Sequence, residues 1–129
     1  MCYNVPMLSS KPKGKVEIKH KIWIERNGRV IFGHGREVLL RAIDECGSLN
    51  SAAKKLNMSY RAAWGRLKAS EERLGIKLTE VDAVSGSMRM TDEARDLLRK
   101  FEELEKETEA FVEFAYQKLA FPPLQKRGR

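Results

Sequence analysis

The sequence predicts a mainly helical α+β fold on three observations. Residues 47–75, GSLNSAAKKLNMSYRAAWGRLKASEERLG, read as two short helices joined by a tight turn. Residues 15–32 alternate apolar and polar side chains around Asn27-Gly28, the pattern of a β-hairpin. From Ala94 onward, apolar residues recur in steps of three and four over more than five turns, the pattern of a long amphipathic helix. Together they describe a winged helix-turn-helix with an N-terminal β-hairpin and a long C-terminal dimerisation helix.

The elements follow in order. Residues 1–14 hold Pro6, Pro12, Gly14, Lys11 and Lys13 without periodicity and read as a flexible basic arm. In the hairpin, at 15–33, Val16, Ile18, His20, Ile22 and Ile24 are expected on a buried face, and the second strand returns from Arg29 to Phe32. Gly33 and Gly35 break the ribbon. A support helix is expected from about Arg36, carrying Val38, Leu39, Ala42, Ile43 and Cys46 at helical spacing. Ser48 then caps one helix of the helix-turn-helix (36–75), and Ser59 caps the next. Ala52, Ala53, Ala62 and Ala63 are small because helices joined by so short a turn cross closely. Residues 77–90 form a small hairpin around Ser85-Gly86, the wing. Thr91 caps the final helix, 91–118, whose stripe runs through Ala94, Leu97, Leu98, Phe101, Leu104, Phe111, Val112 and Ala115. That stripe fits a seam between two subunits at Leu97, Phe101, Leu104 and Phe111, with packing on the chain's own core as the competitor. Residues 119–129 read as a basic tail, leaving 15–118 as a single domain.

Charge points to the partner. The chain carries 25 Lys and Arg against 18 Asp and Glu, a net +7. Residues 91–113 alone hold nine acidic and four basic side chains, so the remainder carries +12. A basic head joined to an acidic helix suits a polyanion at one end of the molecule. The expected partner is double-stranded DNA, with the helix at 59–74 in the major groove. Tyr60, Arg61, Gly65, Arg66 and Lys68 are the candidates for contact on that helix, with Ser48, Ser51 and Lys54 holding the backbone beside it. Arg89 on the wing reaches a phosphate or the minor groove, or stays a solvated charge. Three readings are double. Ser48 serves as a cap or a phosphate contact, Gly65 permits close approach or relieves crowding beside Trp64, and Trp64 packs or touches DNA.

Catalysis and metal chemistry find no support in the residue order. His20 and His34 lack Cys, Asp or Glu at the spacing of a known metal motif, and His20 reads as a core histidine. Gly33-His34-Gly35 lacks the Lys-Ser/Thr of a phosphate loop, and no Ser-His-carboxylate or Cys-His arrangement is apparent. No enzyme activity, metal or cofactor is expected. Cys2 and Cys46 are isolated, no apolar run is long enough for a membrane span, and no signal core opens the chain, so the expected location is the cytoplasm.

Residues 33–78, with Gly47-Ser48-Leu49, Ala52-Ala53 and the string MSYRAAW at 58–64, resemble the N-terminal DNA-binding domain of ModE-type molybdate-dependent transcriptional regulators. KIWIERNGRVIFGHGR resembles the hairpin leading into such domains, and LTEV with RMTDEARDLLRKF resembles the wing and final helix shared with LysR-type winged helices. The resemblance implies a homodimer that binds DNA and regulates transcription. The wing tip DAVSGSM lacks the glycine-rich run of many relatives, and the chain ends at 129 without the modules that capture molybdate, so oxyanion sensing is not expected. The alternatives are a protein-interaction module on the same fold and a small-ligand-sensing regulator.

Overall fold

Side-chain caps fix where the helices start. In the computed structural model, which describes residues 13–119, Ser48 accepts from the Ser51 amide at 3.0 Å, Ser59 from that of Ala62 at 3.0 Å, and Thr91 from that of Ala94 at 3.1 Å. Each satisfies an amide that the first helical turn leaves without a partner. The order is β1 (Trp23–Arg26), β2 (Arg29–Gly33), α1 (His34–Cys46), α2 (Leu49–Lys55), α3 (Tyr60–Leu74), β3 (Thr79–Val81), β4 (Met88–Met90) and α4 (Asp92–Lys118). Three helices followed by the β3–β4 hairpin make the winged helix, and α4 extends from it. The arm at 1–14 and the tail at 119–129 fall outside the described residues, except for residues 13, 14 and 119.

Turn chemistry sets the helix-turn-helix. Gly47 ends α1 at φ 76° and its amide donates to Ile43. A Cβ there would also stand 3.0 Å from Ser87 Oγ on the wing, so glycine answers both to the left-handed backbone and to a close approach. Asn57, at φ 55°, makes the turn between α2 and α3. Ala52, Ala53 and Ala63 are fully buried where the helices meet, as their size predicts, whereas Ala62, expected there as well, is exposed.

The core is formed by Phe32 from the hairpin, Leu39, Leu40 and Ile43 from α1, Leu49 from α2, Leu67 from α3, Leu78 and Met90 beside the wing, and Ala94, Leu98 and Phe101 from α4. Phe32 and Phe101 meet edge to face with centroids 5.0 Å apart.

Three expectations are corrected. The first strand begins at Trp23, not at residue 15, and Val16, His20 and Ile24 are exposed. The Asn27-Gly28 turn pairs Arg26 with Arg29, so the pairing runs out at Trp23 and Gly33, where α1 begins, and residues 15–22 have no strand to pair with. A bulge between Ile24 and Glu25 also shifts the register, which breaks the simple alternation. The support helix starts at His34, two residues early, and Leu40 joins its core face. Phe101, assigned to a subunit seam, is 2% exposed inside the chain's own core, and Leu97 packs half-buried against it. The stripe of α4 therefore divides: its first three turns belong to the domain, while Leu104, Phe111 and Phe114 face outward.

Candidate nucleic-acid interface

Helix α3 is held to the core along one face by Ala63, Leu67 and Ser70 and presents the other to solvent. Tyr60 is 52% exposed and Trp64 48%, and Arg61, Gly65 and Arg66 are exposed beside them. This surface combines one aromatic hydroxyl, one indole and two guanidinium groups around a glycine, with the donors and flat apolar faces that base edges and sugars accept. Nothing lies within 4 Å of a Cβ built on Gly65, so no neighbour within the protein requires glycine there.

Lys68 departs from the outward set. It is half-buried, and its ammonium donates to Glu71 Oε1 at 3.1 Å. Glu71 is itself buried, and its other oxygen accepts from the Leu78 amide at 2.8 Å, so this carboxylate joins α3 to the strand that begins the wing. Trp64, Gly65 and Lys68 line one side of an open cleft of about 640 Å³, with Gly75, Ile76 and Lys77 on the other.

On the preceding helix, Ser51 and Lys54 are exposed, whereas Ser48 is half-buried and spends its hydroxyl oxygen on the cap. Lys55 pairs with Glu45. On the wing, Arg89 is exposed and donates through Nε to Glu80 Oε1 across the hairpin at 3.1 Å. The wing tip is ordered by Asp82, whose Oδ1 accepts from the Val84 and Ser85 amides. Those amides, Ser85 foremost, hold its carboxyl below the usual range. The structure thus places Tyr60, Arg61 and Gly65 on one exposed surface and Arg66, also exposed, on the flank of α3 toward Arg36 and Arg73, with Ser51, Lys54 and Arg89 exposed on α2 and β4.

A second basic group was not legible in the residue order. Arg73 donates to the Val30 carbonyl at 2.5 Å, Arg26 donates to the Arg73 carbonyl at 2.7 Å, and Arg36 donates to Ser70 Oγ at 3.3 Å. Burial, and then the charges of Arg66 and Arg73, push the Arg36 guanidinium below its ordinary value, the mark of cations gathered along one flank of α3. The clue in the sequence is the pair of arginines flanking Asn27-Gly28, whose tip meets the end of α3 at a cleft shared with Arg73. Asp44 was also missed: Oδ1 accepts from the Met90 amide at 3.0 Å and from Arg95 at 2.8 Å, joining α1 to the wing and to the root of α4. No helix among the described residues is long and apolar enough to cross a membrane.

Comparison with known proteins adds similarities over part of the chain. The model of the bacterial regulatory helix-turn-helix protein, lysR family, matches residues 38–95, from within α1 to the first turn of α4. The transcriptional regulator ModE of Haemophilus influenzae is 35% identical over 74 residues, 55% of this chain and 29% of that protein. The Mau operon transcriptional activator of Paracoccus denitrificans is 39% identical over 74 residues, 57% of this chain and 25% of that protein. The chain therefore spans less than a third of the length of these relatives. Among solved structures, the complex of the CbnR DNA-binding domain with DNA aligns with a TM-score of 0.48 at 24% identity, covering 63% of this chain and 94% of that one. Residues 38–95 are thus similar to the helix-turn-helix segment that the lysR-family model describes.

Proposed function

We propose that this chain regulates transcription by inserting α3 into the major groove of double-stranded DNA, as a homodimer of the ModE-like kind. The observation that carries the reading is the exposed surface of Tyr60, Arg61, Trp64, Gly65 and Arg66 on a helix whose opposite face is anchored in the core. The N-terminal residues of a recognition helix meet base edges, so Tyr60 and Arg61 read sequence. Arg66, Ser51, Lys54 and Arg89 hold phosphates and fix register. Lys68 supports the surface through Glu71 more than it contacts DNA. The two subunits meet through the outward part of α4, at Leu104, Phe111 and Phe114, with Leu97 and Phe101 serving the fold instead.

Selection of duplexes from sheared genomic DNA by the full chain tests the function. A recurrent, two-fold-related sequence is expected, and Arg61→Ala should lose about 1–3 kcal/mol on it while relaxing preference at one base pair. A folded Arg61→Ala, Arg66→Ala double variant that retains full affinity for the selected duplex would overturn the α3 assignment and favour a protein-interaction module.

A further inference from the structure

His34 and Glu37 stand one turn apart at the start of α1, and Glu105 meets them from the middle of α4. One imidazole nitrogen and one oxygen from each carboxylate all lie within 4.8 Å of one another. Sequence spacing hides this group, because 67 residues of intervening chain separate Glu37 from Glu105.

A second, independent observation concerns Glu37. It is 8% exposed, and its Oε2 is buried with no hydrogen-bond partner among the described residues. Its Oε1 accepts from Arg41 at 3.4 Å, a weak contact, and Arg41 is shared with Glu102 on α4. A buried carboxylate oxygen without a donor is costly, and a second carboxyl drawn against it adds repulsion unless something positive lies between them. When ionised, Glu37, Glu102 and Glu105 outweigh Arg41 by two charges, the charge of a divalent cation. A cleft of about 280 Å³, lined by His20, Lys21, Ile22, His34 and Glu105, gives access from solvent.

We propose that His34, Glu37 and Glu105 bind a divalent transition-metal ion that ties the start of α1 to the middle of α4. One imidazole and two carboxylates suit zinc and its neighbours, whereas calcium and magnesium prefer oxygen alone. Bonds of about 2.0–2.1 Å in a tetrahedron set ligand atoms about 3.4 Å apart. Small side-chain rotations close the observed triangle to that size. Three protein ligands leave one position for water, reached through the cleft. The Glu37 oxygen that lacks a hydrogen-bond donor then acquires a positive partner.

The test uses the full chain, stripped of metal with a chelator and dialysed. Calorimetric titration with zinc should show one ion per chain and a thermal midpoint raised on binding, and cobalt should develop visible absorption of a low-coordinate site. His34→Ala and Glu105→Gln, both at partly exposed positions, should each lower zinc affinity at least about tenfold, no less than the loss of an outer-shell partner costs, with unchanged circular dichroism. No uptake at about 0.1 mM zinc would leave the two carboxyls joined by a shared proton and overturn the proposal. Wild-type affinity in both variants would place the ion elsewhere and overturn it equally. Neither result depends on DNA binding, so this site and the regulatory function stand or fall separately.

Discussion

Gly65 sits in the middle of α3 at a cost, since glycine inside a helix is about 1 kcal/mol worse than alanine and nothing in the protein occupies the space its side chain would take. No other element of the protein comes within 4 Å of that position, which leaves the helix backbone open to a close approach from outside the chain. Gly65→Ala should raise stability by about 0.5–1 kcal/mol in urea denaturation while weakening binding to the selected duplex. Improved stability with unchanged affinity would leave the backbone of α3 uncontacted at this point. The residues that were legible in sequence have local roles, unlike the external one argued for Gly65. Ser48, Ser59 and Thr91 cap helices three residues away, and Ala52, Ala53 and Ala63 declare a close crossing by their size. Glu71 and Asp44 look like ordinary surface acids in the sequence. Their work is done on amides 7 and 46 residues away, which no local pattern announces.

At the scale of elements, α4 shows why a periodic stripe settles less than its regularity suggests. Leu98 and Phe101 continue smoothly toward Leu104 and Phe111, yet the domain beneath the helix ends between them. Periodicity reports which face is apolar and says nothing about where the neighbour stops. The two halves should respond differently to substitution. Phe101→Ala should cost about 3–5 kcal/mol of stability, because a fully buried aromatic against Phe32 is removed. Phe111→Asp, at 70% exposure, should leave the isolated domain's fold intact and shift sedimentation equilibrium toward monomer. If Phe111→Asp leaves the oligomeric state unchanged, the outward stripe serves another partner. The first hairpin gives the same lesson from the other side. Its alternation from 15 to 24 is real, but the helix that follows Gly33 leaves no strand for residues 15–22 to pair with.

Across the whole molecule, charge is sorted by position. The acidic balance of residues 91–113 lies on α4, and the basic excess lies in the rest of the chain. Cations that displace counterions from several phosphates make affinity fall steeply with salt, by about 0.9 in logarithmic slope for each phosphate neutralised. Titrations of the selected duplex from low to physiological salt should show that fall, and Lys54→Ala should reduce the slope by about one. A flat salt response would remove the electrostatic account of binding.

Asp44 gives this arrangement a mechanical side. One oxygen holds both the Met90 amide at the end of the wing and the Arg95 guanidinium in the first turn of α4. A helix of 27 residues is about 40 Å long, so a tilt of about 10° at its root swings its far end by about 7 Å. In a pair of subunits joined near that far end, such a swing changes the separation of the two reading heads by a distance comparable to two base-pair steps. In the proposed dimer Asp44 would be the fulcrum pin of this lever, and the pair's tolerance for half-site spacing would be set where the lever is hinged rather than where it touches DNA.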